Sequence, residues 1–190
     1  GGTRLTASGE ALLAAGRRLG RAHAAMLNKT GRREKDLGEA LGWMRRLSVR
    51  TSARNQLFGK VASVRLGAVR AEVVLHLKGG DRLTATVTRE SAEELGLRRG
   101  VEAFALIKAP WVLLAPDGPK SRLSARNLFQ GSVEKIIRGP VNCEVVLALS
   151  GGERLAAVVT RDAIDELGLR LGSRAWAIFK ASSVILGVQA

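Results

Sequence analysis

The chain has 190 residues, with 31 Lys/Arg against 17 Asp/Glu and a formal net charge of +14. Hydrophobic residues make up 46% of it and charged residues 25%, near the globular norm, so it should bury real cores. No apolar run is long enough for a membrane span and the start carries no secretory pattern; the single cysteine, Cys143, cannot form an internal disulfide, which suits the cytoplasm.

The positive charge is uneven. Residues 1–50 hold 11 Lys/Arg against 4 Asp/Glu. Such a segment either lies near nucleic acid or presents a solvated basic helix face. Aromatic residues are scarce, at 4%, which argues against a surface for stacking single-stranded bases. The chain opens on Gly1-Gly2-Thr3-Arg4-Leu5-Thr6, which reads as the end of a strand leading into a helix, with material expected upstream. The spacing predicts a helix from Thr6 to about Leu27, capped by Thr6 or Ser8. Leu12, Leu19 and Met26 recur every seven residues with Ala15 and Ala22 between them. This narrow seam suits either a partner helix across a dimer or packing inside one subunit. Asn28–Lys35 reads as a basic turn. A second helix is expected from Asp36, with Glu39 completing a capping box and Leu37, Leu41, Met44 and Leu47 on its apolar face.

From Ser48 the period changes to two. Val61 and Val64, Val73–Leu77, Leu83–Val87, Val101–Lys108 and Trp111–Ala115 read as strands. Gly79-Gly80 is a hairpin signal, and a short helix fits Glu90–Leu95 before Gly96. The whole stretch then recurs without a gap. Ser52-Ala53-Arg54-Asn55 returns as Ser124-Ala125-Arg126-Asn127, an offset of 72, and roughly half of the aligned positions are identical. The fold class expected is α+β, mainly β: N-terminal helices followed by two tandem OB-like five-stranded barrels. The division is 1–50 for the helical region, 51–116 for the first repeat, 117–121 for a linker and 122–190 for the second repeat. Cys143 aligns with Ala71 and reads as a small buried residue. An enzyme is not expected, because His23 and His76 are isolated and no nucleophile–base set emerges.

Polar residues retained in both repeats test each position twice. Ser52 pairs with Ser124, Arg54 with Arg126, Asn55 with Asn127, Thr88 with Thr160, and Lys108-Ala109 with Lys180-Ala181. These are mainly hydrogen-bond donors, and the Arg and Lys are cations. Thr88 and Thr160 stand where the short helices begin, and free N–H groups there suit an anion. Together the set favours a small, fully deprotonated oxyanion, which offers only acceptors. Glu90 and Asp162, which follow the threonines, complicate that reading. Taken singly, each residue is better explained by an Arg–carboxylate pair or a turn cap; it is the duplicated set that favours the anion.

The segments Ser52-Ala53-Arg54-Asn55-Gln56-Leu57-Phe58-Gly59, Thr88-Arg89-Glu90-Ser91 and Ile107-Lys108-Ala109-Pro110-Trp111-Val112 resemble the Mop (TOBE-type) domain. Two such domains in tandem resemble the di-Mop module of the ModE-type molybdate-dependent transcription regulators. Residues 1–13 resemble the trailing wing and following helix of that family's winged helix-turn-helix domain, with Arg4 a candidate for DNA contact. The resemblance implies a cytoplasmic homodimer, bound to operator DNA through a region mostly upstream, with no membrane partner. It implies molybdate, or tungstate, as effector ligand, held where one Mop unit meets another. Carried over by motif, Ser52, Arg54, Lys108 and the backbone near Ala109 come from one unit, and Thr88 and Ser91 from the facing unit. In the second repeat Ser124, Arg126, Thr160, Lys180 and Ala181 match, but Ala163 replaces Ser91. The alternative is a molybdate storage protein of the Mop type.

Overall fold

The computed structural model describes residues 51–118 and 123–189. The helices expected over residues 6–27 and from Asp36, together with Arg4, lie outside the described residues. In the first repeat the chain runs β1 (Asn55–Leu66), β2 (Arg70–Leu77), β3 (Arg82–Thr88), α1 (Arg89–Glu94), β4 (Glu102–Ile107), one 3-10 turn (Ala109–Trp111) and β5 (Leu113–Ala115). The second repeats it as β6 (Asn127–Arg138), β7 (Asn142–Leu149), β8 (Arg154–Thr160), α2 (Arg161–Glu166), β9 (Arg174–Phe179), a 3-10 turn (Ala181–Ser183) and β10 (Ile185–Gly187). Each long first strand serves two neighbours. The start of β1, Asn55–Lys60, pairs with β4, and its end pairs with β2. The register slips between Val61 and Ser63, and between Val133 and Lys135 in β6. A bulge of this kind bends a strand and increases its twist, which curls each sheet into a half-barrel. Leu57, Val73, Leu75, Leu83, Ala85, Ala105 and Ile107 alternate onto the concave side and are buried; Phe129, Val145, Leu147, Leu155, Ala157, Ala177 and Phe179 do the same in the second sheet. Cys143 and Ala71 are both buried, as their alignment suggests.

The fifth strands depart from expectation. The period-two pattern assigns each repeat its own closing strand. Instead the sheets run β10-β4-β1-β2-β3 and β5-β9-β6-β7-β8, so each repeat closes the other's sheet. Leu113 pairs with Ile178 in one sheet and Ile185 with Leu106 in the other. The reason lies at Lys108–Val112 and Lys180–Val184. The 3-10 turn in each segment carries the chain across to the partner repeat, where Ala109–Trp111 packs beside β8 and Ala181–Ser183 beside β3.

The buried asparagines explain why the crossing is fixed. Asn55 donates from Nδ2 to the Ala156 carbonyl at 2.9 Å and accepts at Oδ1 from the Ala156 N–H at 2.6 Å. Asn127 repeats this on Thr84, with both bonds at 2.8 Å. An amide side chain offers one donor and one acceptor, so it mimics a strand neighbour and pairs β8, and reciprocally β3, across the junction. Both asparagines are fully buried. Just before the same two strands, β3 and β8, the two hairpins touch backbone to backbone. A Cβ on Gly79 would come within 2.5 Å of Gly151 Cα, so the first glycine of each pair is required by close approach. The second, Gly80 and Gly152, takes φ of 86° and 83°, the left-handed region that other residues avoid. Beside this contact stand the aligned carboxylates Asp81 and Glu153. Glu153 is buried and accepts one bond from the Lys78 N–H at 3.2 Å. Burial, and then the nearby Glu153 carboxylate, raise the Asp81 pKa above its ordinary value.

Two outcomes follow. Asn55→Ala strips partners from a buried N–H and a buried carbonyl, each worth about 1–3 kcal/mol, so urea denaturation should register a loss of about 2–6 kcal/mol. Asp81 binds its proton more tightly folded than unfolded. Its favourable contribution is therefore present below the ordinary value of 3.8 and is lost as pH rises through the raised one. Asp81→Asn should accordingly melt higher than wild type at pH 7, with the gap closing towards pH 3.

Candidate functional site

The retained donors collect where the strands cross. Asn55 and Ile107 form the last pair of the β1–β4 ladder, so one position further on Arg54 stands opposite Lys108. The same register in the second sheet, ending at Asn127 and Phe179, sets Arg126 opposite Lys180. Each repeat thus ends one sheet on an Arg and a Lys carried by facing strands, with an exposed serine, Ser52 or Ser124, two residues before the arginine. Arg54, Lys108, Arg126 and Lys180 are all exposed, while Ala109 and Ala181 beside the lysines are buried. The backbone at those alanines opens a 3-10 turn: Val112 N–H bonds Ala109 O at 3.2 Å, and Trp111 N–H bonds Lys108 O at 2.9 Å. Lys108 Nζ lies 5.5 Å from the centre of the Trp111 ring, a cation–π contact. The second repeat has Ser183 at the corresponding position, so Lys180 has no such ring.

Each arginine meets a carboxylate of the other repeat. Arg54 Nε lies 3.0 Å from Glu144 Oε2 on β7, and Arg126 Nη2 lies 3.3 Å from Glu72 Oε2 on β2. Sequence reasoning missed both glutamates. The signal was present, since Glu72 and Glu144 are identical at the offset of 72, but a search for donors passed over a retained acceptor. An acceptor therefore does stand beside the donor set, supplied by a neighbouring strand rather than by the local motif.

Thr88 and Thr160 occupy the predicted helix starts. Each caps its helix: the Ser91 N–H donates to Thr88 Oγ1 at 3.1 Å, and the Ala163 N–H to Thr160 Oγ1 at 3.2 Å. The Thr88 hydroxyl also donates to Ser91 Oγ at 2.7 Å, a bond Ala163 cannot make. The threonines thus satisfy one of the N–H groups that the sequence left free for an anion. Within the chain, Arg54 faces Glu144 on β7, and the turn after Lys108 packs beside β8. Thr88 and Ser91 belong to the opposite side of the junction, where β3 faces Asn127 and the turn after Lys180. Along one face of β3 run Thr84, Thr86 and Thr88. Asn127 holds the first, Glu72 with its bound Arg126 pairs with the second, and Thr88 lies one step beyond. The strand that ends at Thr88 thus lies against the Arg126 and Lys180 end of the second repeat, while Arg54 lies against β7. Among the described residues no group of three or more His, Cys, Asp or Glu side chains is placed to hold a metal ion.

The fold and this cluster define a tandem of strand-exchanged half-barrels with a duplicated cationic, hydroxyl-bearing sheet end. The TOBE domain family model matches residues 51–114 and 123–186. The chain is 42% identical over 189 residues to the molybdenum transport protein ModE of Herbaspirillum seropedicae, covering 100% of this chain and 70% of that protein. It is 40% identical over 151 residues to the transcriptional regulator ModE of Yersinia pestis, covering 79% of this chain and 57% of that one. Among solved structures, the cytoplasmic molybdate-binding protein ModG with molybdate bound aligns with a TM-score of 0.73 and 52% identity, over 74% of this chain and all of that one. The chain belongs to the TOBE-domain family, in its ModE and Mop branch.

The caps generate their own test. Thr88→Ala and Thr160→Ala should each cost about 1 kcal/mol of stability, the usual worth of an N-cap hydroxyl. Thermal unfolding of the two variants checks this.

Proposed function

We propose that this chain is the molybdate-binding, dimerising region of a transcription regulator. It binds the oxyanion rather than transforming it, and tungstate is a second ligand of the same chemistry. The observation that carries the reading is the duplicated Arg–Lys sheet end, Arg54 opposite Lys108 and Arg126 opposite Lys180, with Ser52 and Ser124 alongside. A tetrahedral dianion offers acceptors only, and charge-assisted donors are the strong ones. A molybdate-bound relative of 52% identity, alike over the tandem repeats, supports the choice of anion. The resemblance to Mop domains puts Thr88 and Ser91 on a unit facing the one that supplies Ser52, Arg54 and Lys108, and a second copy of the chain can provide that facing unit. A homodimer is therefore part of the proposal.

Titration calorimetry with molybdate on the 190-residue chain tests it. Wild type should bind, with sulfate competing weakly. Arg54→Ala removes a charge-assisted bond worth about 1.5–3 kcal/mol, so affinity should fall about 10- to 150-fold. Unchanged affinity puts the site elsewhere.

Relatives of both kinds align with this chain, the transcriptional regulator ModE of Yersinia pestis over 79% of it and the molybdenum-pterin-binding protein MopA of Rhodobacter capsulatus over 99%, so DNA binding is what separates the two readings. Molybdate can change DNA binding only by favouring one arrangement of the two subunits. Intact protein should hold its operator more tightly with molybdate, and equal affinity with and without saturating ligand leaves storage as the better account.

A further inference from the structure

The two arginines on which oxyanion binding is proposed to rest are already engaged. We propose that Glu144 and Glu72 are internal counter-anions that compete with the bound oxyanion for Arg54 and Arg126, and so hold the site's affinity down. The inference rests on the reading of these arginines as ligand-binding groups.

A carboxylate and a deprotonated oxyanion seek the same donors, and neither has a proton to offer the other. Glu144 Oε2 sits 3.0 Å from Arg54 Nε. An incoming dianion has two courses. It takes the free edge of the guanidinium with a like charge a few ångströms away, or it displaces the carboxylate. Both weaken binding relative to an unpaired arginine. The opposite role, a carboxylate that holds the arginine in place for the ligand, is made unnecessary by the neighbouring residue. Asn55 is buried and pins the backbone beside Arg54 with two hydrogen bonds to Ala156. Asn127 does the same beside Arg126. The arginine's starting point is fixed from within the junction, and the glutamate adds charge rather than position.

The two counter-anions are not equal. Glu72 pairs across the ladder with Arg65, whose Nη1 lies 4.0 Å from its Oε1, so its charge is divided between Arg65 and Arg126. The position corresponding to Arg65 is Ile137, which pairs with Glu144 and carries no charge. Glu144 is accordingly the less exposed of the two glutamates and makes the shorter contact with its arginine. Its removal should release more.

The experiment is molybdate titration by calorimetry at low ionic strength, on the 190-residue chain as wild type, Glu144→Gln, Glu72→Gln and Arg54→Ala. Gln keeps the shape of Glu and removes the charge. Glu144→Gln should bind molybdate about three- to tenfold more tightly, the worth of one exposed charge pair set against a dianion. Glu72→Gln should gain less. Glu144→Ala should gain in the same direction, which separates charge from any new bond made by the glutamine. Each variant's melting profile shows that it is folded. Unchanged or weaker binding by Glu144→Gln overturns the inference. If wild type binds and Arg54→Ala does not, such a result leaves the proposed function standing. If neither wild type nor Glu144→Gln binds molybdate, both fall together.

Discussion

Two buried amides organise this molecule. The side chain of Asn55 completes both hydrogen bonds of Ala156, and that of Asn127 both of Thr84, deep in the junction between the repeats. Buried backbone groups left unpaired cost more than most surface interactions return, so each half-barrel needs the other's asparagine as much as it needs its own core. The exchanged strands extend the same dependence. Without β10 the first sheet ends at β4, and without β5 the second ends at β9, each exposing a row of unpaired backbone groups. The repeats are therefore halves of one structure, although each has its own β-sheet and its own concave core.

The placement of function follows from the same contact. Ser52, Arg54 and Asn55 are consecutive or nearly so, and only the last is structural in the strict sense of being buried. By anchoring Asn55, the fold delivers Arg54 to the sheet end at a fixed point beside Lys108. A flexible, exposed cation loses side-chain entropy whenever it is ordered by a ligand. A fixed backbone origin reduces that loss without burying the charge. The 3-10 turn after Lys108 does similar work on the other strand, since its first residue, Ala109, is buried while Lys108 remains exposed.

Much of the fold could be read from residue pattern. The period-two strands, the Gly-Gly hairpins, the Thr-capped short helices and the burial of Cys143 are local or near-local properties, and the constant offset of 72 checked each one twice. The strand exchange was beyond reach for a definite reason. Leu113 and Ile185 are chemically equivalent closing strands, and an apolar triplet fits either sheet edge in the same register. Repetition hides which copy pairs with which. The role of Asn55 and Asn127 was hidden similarly, because a retained polar residue looks the same whether it faces a ligand or a buried peptide group. Arg54, Lys108 and Ser52 were legible as a donor set because they recur as a set. Their carboxylate partners, Glu144 and Glu72, lie far away in sequence, on strands whose alternation gave no reason to single them out.

Near-symmetry also accounts for the differences between the copies. About a pseudo-twofold relation every junction contact is made twice, so a change at one position tests one half alone. The amides and glycines that close the junction are unchanged: Asn55 and Asn127, Gly79 and Gly151, Gly80 and Gly152. Near the cations and caps three positions differ. Ser91 has become Ala163, Trp111 corresponds to Ser183, and Arg65 corresponds to Ile137. Each of these alters a group next to a cation or a cap, not the amides that join the halves. The geometry of the two sheet ends is therefore held equal by the junction, while their electrostatics are free to differ. A protein built this way can carry two anion sites of the same shape and unequal strength on one frame.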